Sequence, residues 1–267
     1  MARGPKKHMK RITAPRSWMV NKMGGTYTVR PAQGPHKRRD SLPLVLILRD
    51  KLRLAFNGTE CYKILRQKEG LLRVDNKIRR EPKFPVGFMD VIEIPKCGYA
   101  FRIMYDVKGR FKLVDVDVDK HEENYKICRI VKKSVGPNKI PYLVTHDGRT
   151  LRFVAENVGV HDSIKLNVKT NQIEDVFRMN LGNIAMISHG NNRGRIGTVS
   201  HINKFPGSYD LVTLKDKKGT QFTTRIDYVT IVGEGNKTFL TLPSGDGVKK
   251  TIIEERDERM AREEEED

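Results

Sequence analysis

The sequence predicts an α+β fold that is mostly β. A small module of two helices and a hairpin is followed by a central β-barrel-like domain and then by a smaller β barrel, all behind a basic N-terminal arm. Three observations predict this. Helical spacing is confined to the stretch after Ser41 and to the C-terminus. Period-two alternation, bounded by Gly, Pro, Asn and Asp, recurs from Tyr99 onward. The first 40 residues mix prolines, glycines and cations with a single acid, Asp40.

Length and charge set the frame. A chain of 267 residues suggests two or three domains, and a hydrophobic content of only 37% argues against one large core. The 51 Lys+Arg exceed the 33 Asp+Glu, giving a formal charge of +18 that favours a polyanionic partner. No apolar run approaches bilayer length, and no signal-peptide apolar region is visible, so neither a membrane nor secretion is expected. Cys61, Cys97 and Cys128 are widely spaced, odd in number and without a CxxC pattern, which reads as reduced thiols in a cytosolic or nuclear protein.

Residues 1–40 form the arm. Arg3, Lys6, Lys7, Lys10, Arg11, Arg16, Lys37, Arg38 and Arg39 stand among Gly4-Pro5, Ala14-Pro15, Arg30-Pro31 and Gly34-Pro35. Prolines block a helix and cation repulsion blocks collapse, so the arm is expected to be poorly ordered alone and to follow phosphates when bound to RNA. Trp18 and Tyr27 either stack on bases or pack against the fold, and packing is the expected role for Trp18. The prolines argue against the amphipathic helix of a mitochondrial presequence.

Residues 41–95 are the organising module. Ser41 is an expected N-cap, Pro43 suits a first turn, and Leu44, Leu48, Leu52 and Ala55 recur at helical spacing up to a stop at Asn57-Gly58. Arg49 and Arg53 would share the other face. Thr59 would cap a second helix through Arg66. A hairpin follows, Leu71 to Val74 and Lys77 to Arg80 around Asp75-Asn76, and then a strand from Phe88 to Ile94. With Arg49, Arg53, Arg66, Arg73, Lys77, Arg79 and Arg80 outside, this is a compact basic module. Helix, helix, hairpin and the Gly87-x-x-Asp90-Val91-Ile92 entry resemble the alpha-L RNA-binding motif of ribosomal proteins, pseudouridine synthases and some tRNA synthetases. Asn76 stands where related hairpins carry Gly, and it tolerates the left-handed turn.

Residues 96–179 read as the central β domain. Its strands are expected at Tyr99 to Tyr105, Phe111 to Val118, Tyr125 to Lys132, Tyr142 to Thr145, Thr150 to Val154 and Ser163 to Val168. Turns fall at Lys108-Gly109, Gly136-Pro137-Asn138 and His146-Asp147-Gly148. The alternating Asp115, Asp117 and Asp119 fail as a calcium loop, since Lys120 and Lys126 occupy the turn-glycine and last-ligand positions. A strand with Val114, Val116 and Val118 inward explains them better.

Residues 180–248 form a second β unit. Strand, glycine-rich loop and strand from Asn183 to Val199 resemble the KOW pattern, usually part of an SH3-like barrel. Gly190, Gly194 and Gly197 would permit close backbone approach to RNA, and Arg193 and Arg195 would meet phosphate. A nucleotide-binding P-loop is the competing reading, but its Lys before Ser/Thr is missing and Val199 to Phe205 reads as strand and loop rather than helix. Residues 249–267 turn acidic and can be helical from Thr251 to Arg262. The negative charge predicts a solvated tail or a contact with a basic protein neighbour rather than with RNA.

Seven scattered histidines form no zinc spacing, and no catalytic motif appears, so no enzyme, metal or cofactor is expected. From end to end the chain resembles the eukaryotic and archaeal small-subunit ribosomal protein family S-four-e (eS-four). The carrying stretches are Met1 to His8, Arg30-Pro31 through Gly34-Pro35-His36-Lys37, Ser41 to Leu44, Pro85 to Ile92, the KOW segment, Phe222 to Arg225, and Leu242 to Gly247 through Thr251 to Glu255. The resemblance implies a structural 40S protein that binds 18S-type rRNA beside neighbouring small-subunit proteins. It also implies nuclear or nucleolar passage during assembly and work in the cytoplasm. The alternatives are a KOW-type translation or transcription factor, or an RNA-modifying enzyme with an alpha-L appendage. Ser188-His189-Gly190 departs from the more glycine-rich loop entry of the family, so an RNA contact at His189 is not assigned.

Overall fold

A computed structural model of the chain describes residues 4, 7–116, 121–235, 237–245 and 247–266. The fold is mostly β with few helices, and every pairing is antiparallel. Three ladders carry it. The first runs in the order Lys77–Ile78, Arg73–Val74, Val91–Ile94, Tyr99–Tyr105, Phe111–Asp115. The second runs Thr150–Arg152, Pro141–Thr145, Tyr125–Val135, Ser163–Asn167, Ile173–Phe177. The third runs Gln221–Arg225, Leu211–Lys215, Ile196–Asn203, Ile184–Ile187, Val229–Glu234, Lys237–Thr238. Among the described residues no ladder joins its two edge strands.

The hairpin turn lies where Asp75-Asn76 predicts it. Both residues have positive φ, 50° and 57°, which a two-residue turn between twisted strands requires. Lys108-Gly109 and His146-Asp147-Gly148 also turn as expected, with left-handed Gly109 and Gly148. The longest strand, Tyr125–Val135, slips register between Ile130 and Lys132. Its residues 125–129 pair with Ser163–Asn167, and from Ile130 onward, across that bulge, it pairs with Pro141–Thr145. Val114 and Val116 are buried and Asp115 is exposed, as a strand demands. Asp117, Val118 and Asp119 lie outside the described residues.

The stretch after Ser41 departs from expectation. Ser41 is no helix cap: Ser41–Pro43 is a strand paired with Pro85–Gly87. The helix is only Leu44–Leu46, continued by a π-helical turn Ile47–Lys51. Leu52 N–H reaches Ile47 and Leu54 N–H reaches Leu48, and Arg53 is left-handed at φ 53°. The chain unwinds there, so Arg49 and Arg53 share no face. The physical reason is burial, because every residue from Leu42 to Leu48 is buried and the amphipathic face inferred from spacing does not exist. Asn57-Gly58 starts rather than stops a helix: Asn57 is the N-cap of Gly58–Leu65, and Glu60 accepts the Phe56 N–H at 2.8 Å. The strand expected from Phe88 to Ile94 is shortened to Val91–Ile94, with Met89 left-handed at φ 70°, and Pro85–Gly87 before it is a strand of a different sheet.

The expected boundary at 95/96 falls inside the first ladder, since Val91–Ile94 pairs with Tyr99–Tyr105. One core runs through several of the expected units: Met9 and Trp18 of the arm, Leu42 to Leu48, Ile103 to Tyr105, Ile127, Met186, Ile196 and Val232. The arm is therefore docked. Trp18 is 2% exposed and donates its indole N–H to the Ser41 carbonyl at 2.7 Å, the packing role expected of it.

Candidate nucleic-acid interface

The arm is fixed to the body by a buried ionic hub that assembles distant residues. Gly87 lets the His36 ring pass over the backbone, since a Cβ at Gly87 would lie 2.3 Å from that ring. His36 Nε2 then meets Asp90 Oδ2 at 2.8 Å, and the Gly87 N–H donates to the same oxygen at 2.9 Å. Lys126, fully buried on the long central strand, reaches Asp75 at 2.7 Å, Asp90 at 3.1 Å and Asp147 at 2.5 Å. Arg149 closes the ring on Asp147 at 2.8 Å and Asp75 at 2.5 Å. The three carboxylates converge closely enough to hold a cation, and the Lys126 ammonium is that cation. Lys126 and Arg149 supply two permanent positive charges against three negative ones, so a protonated His36 completes the balance.

Proton affinities follow from this geometry. Burial would lower the pKa of His36, but the Asp90 charge and hydrogen bond outweigh it and raise it above 6.5. Asp90, despite burial, is held below the carboxylate range by His36 and Lys126. His146 is the opposite case. Burial pushes it down to about 4, and as a neutral ring it donates from Nε2 to the Phe88 carbonyl at 3.2 Å and accepts the Arg129 N–H on Nδ1. A raised folded pKa stabilises below 6.5 and is lost as pH rises through it, whereas a lowered one stabilises above 6.5 and is lost as pH falls toward 4. The two histidines therefore place the stability optimum near pH 6.5. Thermal unfolding between pH 4.5 and 8.5 should show roughly 3 kcal/mol lost on the acid side. His36→Gln should flatten the alkaline side only, and a profile unchanged by that substitution would contradict the assignment.

The expected RNA-binding cations divide into two populations. Lys7, Lys10, Arg16, Lys37, Arg38, Arg39, Arg53, Arg66, Lys77 and Arg80 are exposed, and none has a carboxylate partner among the described residues. Arg66 lies over the Tyr62 ring. Arg73 and Arg79 are half-buried, Arg79 over Phe84, and Arg11 holds the arm's own loop through the Asn21 and Tyr27 carbonyls. Arg49 pairs with Asp50. Arg3 and Lys6 lie outside the described residues.

In the glycine loop both arginines have partners within the chain. Arg195 is buried, ion-paired to Asp216 and stacked on Phe222, with its guanidinium 3.7 Å from the ring centroid. Arg193 pairs with Asp40 and lies over Tyr105. The close approaches at Gly194 and Gly197 are to the chain's own backbone. A Cβ at Gly194 would strike the Asp106 carbonyl, and one at Gly197 would come within 2.8 Å of the Lys215 carbonyl. Gly190 alone of the three stays exposed. Arg193, Gly194, Arg195 and Gly197 thus help to pack the fold, each arginine holding a carboxylate and an aromatic face. His189 sits between the Ser188 hydroxyl and Asp40, which lowers the Asp40 pKa.

The acidic C-terminus also finds partners within the chain. Thr251 and Glu254 form a capping box that starts helix Ile252–Glu266. Glu254 pairs with Lys218 and Glu255 with Lys108, each at 2.8 Å.

Comparison with known proteins decides what this basic body is. Residues 97–173 match the model of Ribosomal family S4e, 216–263 that of the 40S ribosomal protein S4 C-terminus, and 3–39 that of the RS4NT (NUC023) domain. The small ribosomal subunit protein eS4 of Tetrahymena thermophila is 48% identical over 97% of this chain and all of its own length. The chain belongs to the eS4 family of small ribosomal subunit proteins. The Bombyx mori eS4 protein is also 48% identical, over 98% of both chains. The crystal structure of the 30S ribosomal protein S4e from Thermoplasma acidophilum superposes with a TM-score of 0.63 at 34% identity, covering 75% of this chain and 98% of that one. Membership of eS4 makes the chain a structural, non-enzymatic ribosomal protein.

Proposed function

We propose that the chain binds 18S-type rRNA in the body of the small subunit, next to other small-subunit proteins, and supports subunit assembly and translation. It enters the nucleus or nucleolus to assemble and works in the cytoplasm. The arm, 1–40, and the alpha-L module, 41–95, are the phosphate-neutralising units, and the KOW unit, 180–248, is the rigid frame that holds them. One observation carries this reading: the exposed arm and module cations lack carboxylate partners among the described residues. Residues 1–95 hold 22 Lys+Arg against 8 Asp+Glu, so intramolecular pairing cannot neutralise them. A polyanion does so and gains counterion-release entropy. Phosphate, 2′-OH and shape contacts should dominate, because the A-form major groove is closed to side chains.

The test is sedimentation of a cell lysate containing the tagged full-length chain, in low and in high salt. Stoichiometric presence in the small-subunit, monosome and polysome fractions under both conditions is expected. Loss from those fractions in high salt would favour a factor that cycles on and off the ribosome.

A further inference from the structure

A cleft of about 760 Å³ opens where arm, Tyr99–Tyr105/Phe111–Asp115 turn, glycine loop and C-terminal segment meet. Arg16, Arg39, Lys108, Arg193, Lys249 and Lys250 line it against the carboxylates Asp40, Asp106 and Glu255, so cations outnumber anions on its wall, and Ser17 lines it too. Arg16 and Arg39 have no carboxylate partner among the described residues. Two buried polar atoms on its wall also lack hydrogen bonds: the Ser17 hydroxyl, on a residue 6% exposed, and Arg193 Nε. Unsatisfied buried donors are costly, and they mark a wall built for an acceptor that the chain does not supply. Into this basic cleft the chain inserts an acidic helix. Residues 252–266 carry 8 Asp+Glu against 3 Lys+Arg, and Glu255 reaches the cleft's own Lys108 while Glu254 holds Lys218 alongside. The helix is otherwise weakly held: Ile252, Ile253 and Met260 are 87%, 64% and 53% exposed, so no apolar seam fixes it.

We infer that this cleft is a binding site for an RNA phosphodiester segment and that the C-terminal helix is a tethered competitor for it. The Glu255 carboxylate stands where a phosphate oxygen would accept from Lys108. Incoming phosphate displaces the helix and also meets the unpartnered Ser17 and Arg193 donors, which the carboxylate leaves unsatisfied. The tethered carboxylate therefore screens out weak polyanions and yields to a strand that fits the cleft. This deepens the rRNA-binding reading above and rests on it.

The test uses full-length protein and transcribed small-subunit rRNA in filter binding at about 100 mM KCl. Glu254→Gln with Glu255→Gln removes both pairs and keeps the helix cap, since Gln serves a capping box as Glu does. Asp257→Asn with Glu263→Gln changes the net charge equally without touching the cleft. The first variant should bind roughly 3- to 10-fold more tightly than the second, as expected for two released exposed pairs. Adding Lys108→Ala to the first should remove the share of that gain that comes from releasing Lys108. Equal affinities for the two double variants, or a gain that Lys108→Ala leaves undiminished, would overturn the inference while leaving rRNA binding intact. Wild-type protein that binds this rRNA without salt dependence would instead remove the underlying reading, and the inference with it.

Discussion

Lys126→Ala should lower stability by about 3–5 kcal/mol or more, one of the two largest effects expected here. The ammonium is fully buried among Asp75, Asp90 and Asp147. Removing it leaves three mostly buried carboxylates with only Arg149 and His36 as cationic partners. The pair energy is not what is lost, since a buried ion pair roughly breaks even against apolar packing. The loss is the cost of stranded charge. Lys126→Met should fare little better, because it restores volume but not charge. In a thermal melt the transition should fall by roughly 6–20 °C. A shift of under about 2 °C would show that the carboxylates relax to solvent and that the hub does not hold the arm to the body.

Affinity for naked small-subunit rRNA should fall by ~10³–10⁵ between 50 and 200 mM salt, if ~6–10 phosphates are engaged as in comparable DNA complexes. The number of free cations supports contact on this scale. Ten of the expected RNA-binding Lys and Arg of the arm and first module face solvent without an ion pair to a carboxylate among the described residues. Arg195, buried against Asp216, should contribute little to the salt dependence, whereas Arg193, paired to Asp40, contributes through the cleft described above. Replacing Arg193 or Arg195 should also loosen the loop, through Tyr105 and Phe222 respectively.

What the sequence reveals and what it hides divide along contact distance. Local chemistry is legible. Asp75-Asn76 names its turn, Trp18 its burial, and the alternation from Tyr99 to Tyr105 or Ser163 to Asn167 its strands. The Leu42 to Leu48 run is not, because a stretch buried on all sides has no period. Only its pairing with Pro85–Gly87, far along the chain, makes Ser41–Pro43 a strand. The hub is hidden for the same reason. His36, Asp75, Asp90, Lys126, Asp147 and Arg149 come from separate segments, and each alone reads as an ordinary polar residue. A partial signal existed in the Gly34-Pro35-His36-Lys37 and Gly87-x-x-Asp90 stretches, which meet through one hydrogen bond. Charge count finds the basic face, yet it cannot separate Arg195, neutralised by Asp216, from Arg53, which is free.

The decisive measurement is the slope of log affinity for small-subunit rRNA against log salt, for the wild type and for the full-length Arg53→Ala, Lys77→Ala, Arg80→Ala variant. If these exposed side chains each neutralise a phosphate, the slope should become shallower by about 2–3. The melting transition should barely move, since none of the three is buried. An unchanged slope would mean that the free cations of the module do not meet RNA, and the proposed interface would be wrong.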